Sequence, residues 1–457
     1  MDDPGREGPS RLTVDPARVR MLLDRERERF VAERPRTREL QARARATMPD
    51  GVPMRWFHET EDHPLLFAAE GSGAYFTDVD GHRYLDMNIA DMSMFCGYAP
   101  GPVVRAVADR VARGSQFLLP GEDSLWVAEE LARRWGLPRW QFTLSASQAN
   151  TEVIRLARVA TGRESVLLFD GKYHGHFDEG LVDLDEGRLT FEEAGPPREA
   201  LGRVRIVQFN DVDAVRDALS SGDVALVLTE PAMTNNNGLI QPIPGFHEAL
   251  RRATAETGTL LAYDETHTLV TGPGGLVRRL GLRPDLVSAG KSIAGGIPLG
   301  AWGMTEDLAR RMEADHGRSG VATGGTLFAN PLSMAAARAS LGEVLTEDAY
   351  DRTAVLGGRL AGGLEEAIAK AGLPWSVHRM FARSGVAYGP TVPRNALEAK
   401  RMKDPPLTAL WRLFFANRGV WEAIPGAGPT VSVPCTGSDV DRYLAVAGEL
   451  LDELTRG

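Results

Sequence analysis

The residue in this chain best placed for covalent chemistry is Lys291, which sits inside "DLVSAGKSIAGGIPLG" at 285 to 300, among apolar and small residues with glycines at 290, 295 and 296. Lysine is scarce here: of 52 lysines and arginines only five are lysine (Lys172, Lys291, Lys370, Lys400 and Lys403). A guanidinium stays charged, whereas an amine in a desolvated pocket can lose its proton and attack a carbonyl, the first step of Schiff-base chemistry. The competing reading is a loop lysine whose apolar stem carries its ammonium out to water.

Three further groups fall where apolar runs end. Asp264 closes the run in "LLAYDETHT"; it reads either as a solvated turn aspartate or as the partner of a protonated pyridine nitrogen. Ser145, Ala146 and Ser147 open the helical pattern of "TLSASQANTEVIRLAR", where small hydroxyl residues cap a helix and where free N–H groups can hold a phosphate. In "DGKYHGHFDE", Tyr173 can stack on a flat ring, and His174 or His176 can carry protons or simply be solvated. His-x-His has no third ligand at metal spacing, so no metal is expected.

The elements that must position these groups follow from periodicity. Strands are predicted in "SVLLFDG" (165–171), "RVRIVQFN" (203–210), "VALVLTEP" (224–231), "TLLAYDE" (259–265) and "DLVSAGK" (285–291), separated by helical segments such as "VVRAVADRVARG" and "SLWVAEELARRWG". That alternation predicts an α/β domain with a mainly parallel sheet covered on both faces, its ligand crevice at the carboxyl ends of the strands. Before it, residues 1 to about 13 read as mobile, Pro16 to about Met48 as one or two charged helices broken near Pro35, and "GAYFTDVDGHRYLDMN" as a hairpin about Asp80-Gly81. The helical face with Val19, Leu22, Leu23, Phe30 and Val31 packs either on its own subunit or on a second one. Beyond about residue 340 the pattern becomes a small α+β domain. Its parts are a helix in "AVLGGRLAGGLEEAIAKAG", strands in "SGVAYGP" and "GPTVSVPC", a helix in "LTALWRLFFANRG" and a closing helix capped by Ser-x-x-Asp at 438 to 441. The domains are therefore set at 1–85, 86–338 and 339–457.

Composition narrows the function. A net charge of −10 argues against a general nucleic-acid binder, and 43% hydrophobic content is ordinary for a globular chain. Cys96 and Cys435 lie far apart, outside any CxxC cluster, and there is neither a signal-peptide pattern nor a run of 18 apolar residues. A cytoplasmic protein acting on small molecules, with no membrane partner, is expected.

Taken in order, "SASQAN", "YHGH", "EPAMTNNNGLIQP", "YDETHT", "GKSIAGGIPLGAWG" and "GGTLFANPLSM" resemble the class III (subgroup II) pyridoxal-phosphate aminotransferases of fold type I, in the branch that contains glutamate-1-semialdehyde aminomutase. The resemblance covers about residues 45 to 455. It implies a large domain with a mainly parallel seven-stranded sheet, a smaller C-terminal domain, and pyridoxal 5'-phosphate as cofactor. It makes Lys291 the Schiff-base lysine, Asp264 the partner of the pyridine nitrogen and Tyr173 the stacking residue. Ser145, Ala146 and Ser147 would hold the phosphate, with His174, Glu230, Asn235 and His267 about the cofactor. Thr326 would reach the cofactor of the neighbouring subunit in a homodimer. Arg55 is the candidate for a substrate carboxylate, with Arg379, Arg383 and Arg394 as alternatives. Ala146-Ser147-Gln148 and Thr266-His267 depart from the Gly-Thr-Glu and Val-Met of that family. These departures imply a differently lined substrate pocket. The reading puts an aminotransferase acting between an amino donor and a keto or aldehyde acceptor first, and an aminomutase or epimerase second. A non-catalytic binding module is third, disfavoured by the retention of Lys291, Asp264, Tyr173 and Thr326 together.

Overall fold

A computed structural model describes residues 14–59, 65–234, 238–314, 320–422 and 428–456. Its centre is a sheet of seven strands: Arg139–Thr143 (β1), Ser165–Phe169 (β2), Val204–Val207 (β3), Val224–Thr229 (β4), Leu260–Asp264 (β5), Leu286–Ala289 (β6) and Gly300–Met304 (β7). Their order across the sheet is β1-β7-β6-β5-β4-β2-β3. β7 runs antiparallel to both β6 and β1, and the other neighbouring pairs are parallel. The five strands read from the sequence are all present, each shorter than its apolar run. β1 and β7 carry no equally clear run, because Arg139, Gln141 and the glycines of β7 interrupt it.

Each central strand feeds two cores. Leu167, Val227, Leu261, Tyr263, Val287 and Ala301 face one hydrophobic cluster, while Val166, Leu168, Leu226, Leu228, Ala262, Leu286 and Trp302 face another. Successive side chains on a strand point to opposite faces, so a sheet buried on both sides needs an unbroken apolar sequence. The helix Ala146–Thr161 covers the second face through Ala149, Val153, Ile154, Leu156 and Ala157. Each large aliphatic side chain buried in this way contributes about 1.5–3 kcal/mol.

The two ends of the chain share a third core. Val19, Leu22, Leu23 and Phe30 of the helix Pro16–Ala32 pack with Leu407, Leu410 and Phe414 of the helix Pro405–Ala416 and with Leu450, Leu451 and Leu454. The charged N-terminal helix is thus held by its own subunit. A second helix, Pro35–Ala44, begins at the expected proline. The hairpin Tyr75–Asp78/Arg83–Asp86 forms about Gly81, and its second strand pairs in parallel with Val420–Trp421. Tyr84 and Trp421 meet edge-on there.

Two local expectations are corrected. Residues 428–435 do not form a strand: Thr430 makes one isolated bridge to Arg383, and the N–H groups of Thr430, Val431 and Val433 donate to Met87, Ala382 and Phe95. Those donors knit three segments together, so no ladder forms. The closing helix, Gly437–Thr455, is capped by Thr436 and Asp439 in a reciprocal box, two residues before the Ser438 cap read from the sequence. The expected mobile stretch 1–13 lies outside the described residues. Among the described residues no helix is long and apolar enough to cross a membrane.

Candidate active site

Asp264 is the last residue of β5 and pairs in register with Ser288 of β6, so the two strand ends deliver their side chains to one place. Lys291 follows β6 on a 3-10 turn, Lys291–Ala294, with φ of 52°. A non-glycine residue held in the left-handed region stores strain, and such strain gathers at functional sites. Gly290 lets this turn approach the helix Ala146–Thr161: a Cβ there would stand 3.0 Å from the Ala146 Cβ.

Asp264 is the hub of a buried hydrogen-bond network. Its Oδ2 accepts from Asn150 Nδ2 at 2.9 Å and from His174 Nδ1 at 3.0 Å, and its Oδ1 accepts from the Thr266 N–H at 3.0 Å. Asn150 is held in turn by Ser288, whose hydroxyl donates to Oδ1 at 2.5 Å, and by the His174 carbonyl at 2.7 Å. Burial alone would raise the Asp264 pKa, but His174 and Thr266 prevail and bring it down to about 2. The group is therefore a fixed anion. A carboxylate offers about four acceptor positions. Three are taken by protein donors, which leaves room for a ring N–H.

The helix start beside this network has the same economy. Ser145 caps the helix by accepting from the Gln148 N–H at 3.3 Å, and the Ser147 hydroxyl accepts from the His176 N–H at 3.1 Å. The N–H groups of a first helical turn have no intrahelical acceptor and favour an anion. Gly175, at φ +110°, closes this end: a Cβ there would fall 2.1 Å from Ser147 Oγ. The "YHGH" loop and the helix start are in direct contact because residue 175 has no side chain.

These groups line one cavity of about 280 Å³, walled by Ser145, Ala146, Ser147, Tyr173, His174, Asp264, His267 and Lys291 together with Asp91 and Ser93. Tyr173 is half-buried; burial, reinforced by Asp91, Glu192 and Glu193, keeps its phenol above its ordinary pKa and hence protonated. Glu230 lies behind the wall, accepting from Thr234 Oγ1 at 2.5 Å and from His267 Nδ1 at 3.3 Å. Because a carboxylate only accepts, His267 carries its proton on Nδ1 and turns Nε2, which has no partner, toward its buried surroundings. His174 Nε2 is likewise without a partner.

The remaining sequence candidates are placed elsewhere. Thr326 is exposed, its carbonyl accepting from Gln116 Nε2 at 2.5 Å. Arg55 is exposed and outside the cavity wall, as is Arg379, while Arg394 pairs with Glu398 at 2.9 Å. Asn235 lies outside the described residues. Of the four arginines considered, Arg383 is the one fully buried, where burial lowers its pKa to about 10 against the pull of Glu230 and Asp91.

Sequence reasoning did not single out Asp91. Its carboxylate forms an ion pair and hydrogen bond with Lys291 Nζ, although the two residues are 200 positions apart. Burial works against its ionisation, but Lys291, His267 and Arg383 together hold the carboxyl below the usual carboxylate range. The segment "MNIADMSMF" gives no motif or period that would have pointed to it. Asn150 and Ser288 were also missed, as polar residues inside a helix and a strand that read equally well as packing.

The site thus combines an amine, a fixed anion with an acceptor position to spare, an aromatic wall and a helix start whose free N–H groups favour an anion. Comparison with known proteins agrees. A family model described as aminotransferase class-III matches residues 56–380. Glutamate-1-semialdehyde 2,1-aminomutase of Thermomicrobium roseum is 35% identical over 423 residues, covering 91% of this chain and 97% of that protein. The protein of the same name from Gemmatimonas aurantiaca is 36% identical over 393 residues, covering 84% and 88%. Among solved structures, a glutamate-1-semialdehyde aminomutase from Pseudomonas aeruginosa PAO1 in complex with PMP superposes with a TM-score of 0.91 at 39% identity, covering 96% of this chain and 99% of that one. An omega-transaminase from Sphaerobacter thermophilus gives 0.84 at 29% identity, covering 92% and 97%.

Proposed function

The chain belongs to the class-III aminotransferase family, and from that premise we propose that it relocates an amino group within one small molecule, as a 2,1-aminomutase does. Its cofactor is pyridoxal 5'-phosphate. When bound, this cofactor supplies a carbonyl for amines to condense with and an electron-poor ring that stabilises negative charge at the neighbouring carbon. The observation that carries the proposal is the convergence of Lys291, Asp264, Tyr173 and the Ser145–Ser147 helix start on one cavity. The relatives at 35–39% identity named above favour transfer within one molecule over transfer between two.

Lys291 would hold the cofactor through its amine nitrogen, and the same nitrogen would serve as the base that moves a substrate proton. Asp264 would accept the N–H of the ring nitrogen, and its low pKa keeps it ionised throughout the physiological range. Ser147 and the first-turn N–H groups would anchor the phosphate, Tyr173 would cover the ring, and the buried walls of Thr266 and His267 would keep water from the reacting atoms. His267, with Glu230 behind it, completes the surroundings of the ring in this reading.

A homodimer belongs to the same proposal. Phe117, Leu118, Leu119 and Leu327 are exposed beside Gln116 and Thr326, and an apolar patch of this kind is a protein-binding surface. A second subunit seated there would bring its cofactor toward Thr326. A cytoplasmic location is consistent with two buried, unpaired thiols, Cys96 and Cys435.

Transfer between two molecules is the second reading, supported by the likeness to the omega-transaminase from Sphaerobacter thermophilus. The two are separated by supplying glutamate-1-semialdehyde to protein loaded with the amine form of the cofactor. Isomerisation without any added donor supports the mutase. Absence of isomerisation, combined with donor-dependent conversion of the cofactor to its amine form, replaces it with an aminotransferase.

A further inference from the structure

Four consecutive non-glycine residues, Ile89, Ala90, Asp91 and Met92, hold left-handed φ values of 48°, 46°, 52° and 69°. L-residues visit this region singly, not in runs, so the turn persists only because its surroundings impose it. A buried carboxylate does so. Asp86 Oδ1 accepts from the N–H groups of Asn88 and Ile89 at 2.9 and 2.7 Å, and Oδ2 from the Ala90 N–H and the Tyr98 hydroxyl at 3.1 and 2.6 Å. What the strained turn delivers is the Asp91 carboxylate, placed in the cavity wall against Lys291 Nζ.

The other acidic groups about the cavity are committed elsewhere. Asp264 accepts from Asn150, His174 and Thr266, and Glu230, behind the wall, accepts from Thr234 and His267. Tyr173 keeps its proton and is neutral. His267 and Arg383, the latter from the small domain, act on Asp91 and together with Lys291 hold it ionised. Among the described residues, Asp91 is thus the anion that reaches the Lys291 nitrogen. A charge interaction is shared equally by its two members: a cation on Nζ that stabilises the carboxylate is stabilised by it to the same extent.

Resting on the reading of this cavity as the pyridoxal-phosphate site, we infer that Asp91 is a positioning residue that acts through Lys291. It is the counter-ion that keeps a positive charge on Nζ, both when the nitrogen is joined to the cofactor and when, released, it has taken up the substrate proton. Joined and protonated, Nζ draws electrons from the cofactor carbon and opens it to attack by a substrate amine. The substrate nitrogen bonds to that carbon as the carbon–Nζ bond breaks, and a substrate N–H proton passes to Nζ, which leaves as a neutral amine. That amine then removes the substrate C–H proton and rests against Asp91 as an ammonium. The cation beside Asp91 is therefore supplied by Lys291 itself, and the substrate's own charges are left for other contacts.

The test follows the visible absorbance of the cofactor-loaded protein against pH in the wild type, Asp91→Asn and Asp91→Gly. The protonated and neutral forms of the carbon–nitrogen double bond between cofactor and Lys291 absorb at different wavelengths, so the midpoint reads the proton on Nζ. Asn keeps an acceptor oxygen and loses the charge, whereas Gly loses both. Each tolerates left-handed φ, so the turn is retained; matching circular dichroism spectra verify this. A hydrogen bond to a charged group corresponds to about tenfold or more in the protonation equilibrium. Because the anion favours the protonated form, both variants are expected to titrate about one pH unit or more below the wild type. An unchanged or raised midpoint in the folded variants overturns the inference, since a residue that merely propped the cavity would alter how much cofactor is held and not where its bond titrates. Borohydride reduction and mass spectrometry of the wild type check the underlying reading separately. If Lys291 acquires no cofactor mass, that reading falls and the inference with it; if it does and the midpoint is unmoved, only the role of Asp91 falls.

Discussion

Replacing Asp264 by Asn keeps the shape of the side chain and removes its charge, and the consequence can be worked from its three donors. Oδ2 receives Asn150 and His174, and Oδ1 receives Thr266. A carboxamide has one acceptor oxygen and one NH2. If the oxygen takes the Oδ2 position, the NH2 faces the Thr266 N–H; if it takes the other, the NH2 faces both Asn150 and His174. At least one buried donor loses its acceptor, at about 1–3 kcal/mol. The surviving bonds pass from a charged to a neutral acceptor, costing about 1 kcal/mol each. Asp264→Asn should therefore destabilise the cofactor-free protein by about 3–5 kcal/mol, the scale for breaking a buried ion pair. Urea unfolding at pH 7 measures it as a lower midpoint with an unchanged slope. A loss below about 1 kcal/mol at constant slope would refute the view that this carboxylate organises the site, because no arrangement of an amide satisfies all three donors.

Two other outcomes are specific. Gly175→Ala places a Cβ 2.1 Å from Ser147 Oγ and 2.7 Å from its Cα at a φ of +110°. The YHGH loop must then move off the helix start, and affinity for pyridoxal phosphate should fall at least about tenfold with little change for pyridoxal, which lacks the phosphate; equal losses for both would place the phosphate elsewhere. Burial raises the Glu265 carboxyl to about 7 from 4.5, outweighing its hydrogen bonds from Thr268, Leu276 and Val277. With the folded pKa raised, the stabilisation is fully present below about pH 4.5 and is lost as pH rises through 7. Relative to Glu265→Gln, the wild type should lose up to about 3 kcal/mol across that window in urea titrations, and parallel pH profiles would show that the carboxyl is ionised in the fold.

The most legible parts of this protein were those where the candidate site residues sit at the end of a regular element. β2 to β6 announce themselves as apolar runs because a sheet buried on both faces admits nothing else. Asp264 and Lys291 stand out because a charged residue directly after such a run is conspicuous. The helix beginning at Ala146 was readable from its small capping residues. Less was visible where backbone donors answer to distant partners. Residues 428–435 have the composition of a strand, yet their N–H groups go to Met87, Ala382 and Phe95. The cap of the last helix slipped by two residues because Thr436 and Ser438 are both competent and only the fold chooses between them.

By itself, the sequence determined which chemistry the chain could perform: a lone lysine among small residues, a strand-end acid and an anion-binding helix start are local patterns that local physics can interpret. Only the tertiary structure decided what surrounds that chemistry. Asp91 lies 200 residues from Lys291 and Arg383 lies on a strand of the small domain, yet both bear on the same cavity. Neither position carries a local signal, because a charged residue in a loop or an edge strand looks the same whether it faces water or an active site. That difference arises when two domains and a strained turn pack together, which no window of sequence contains.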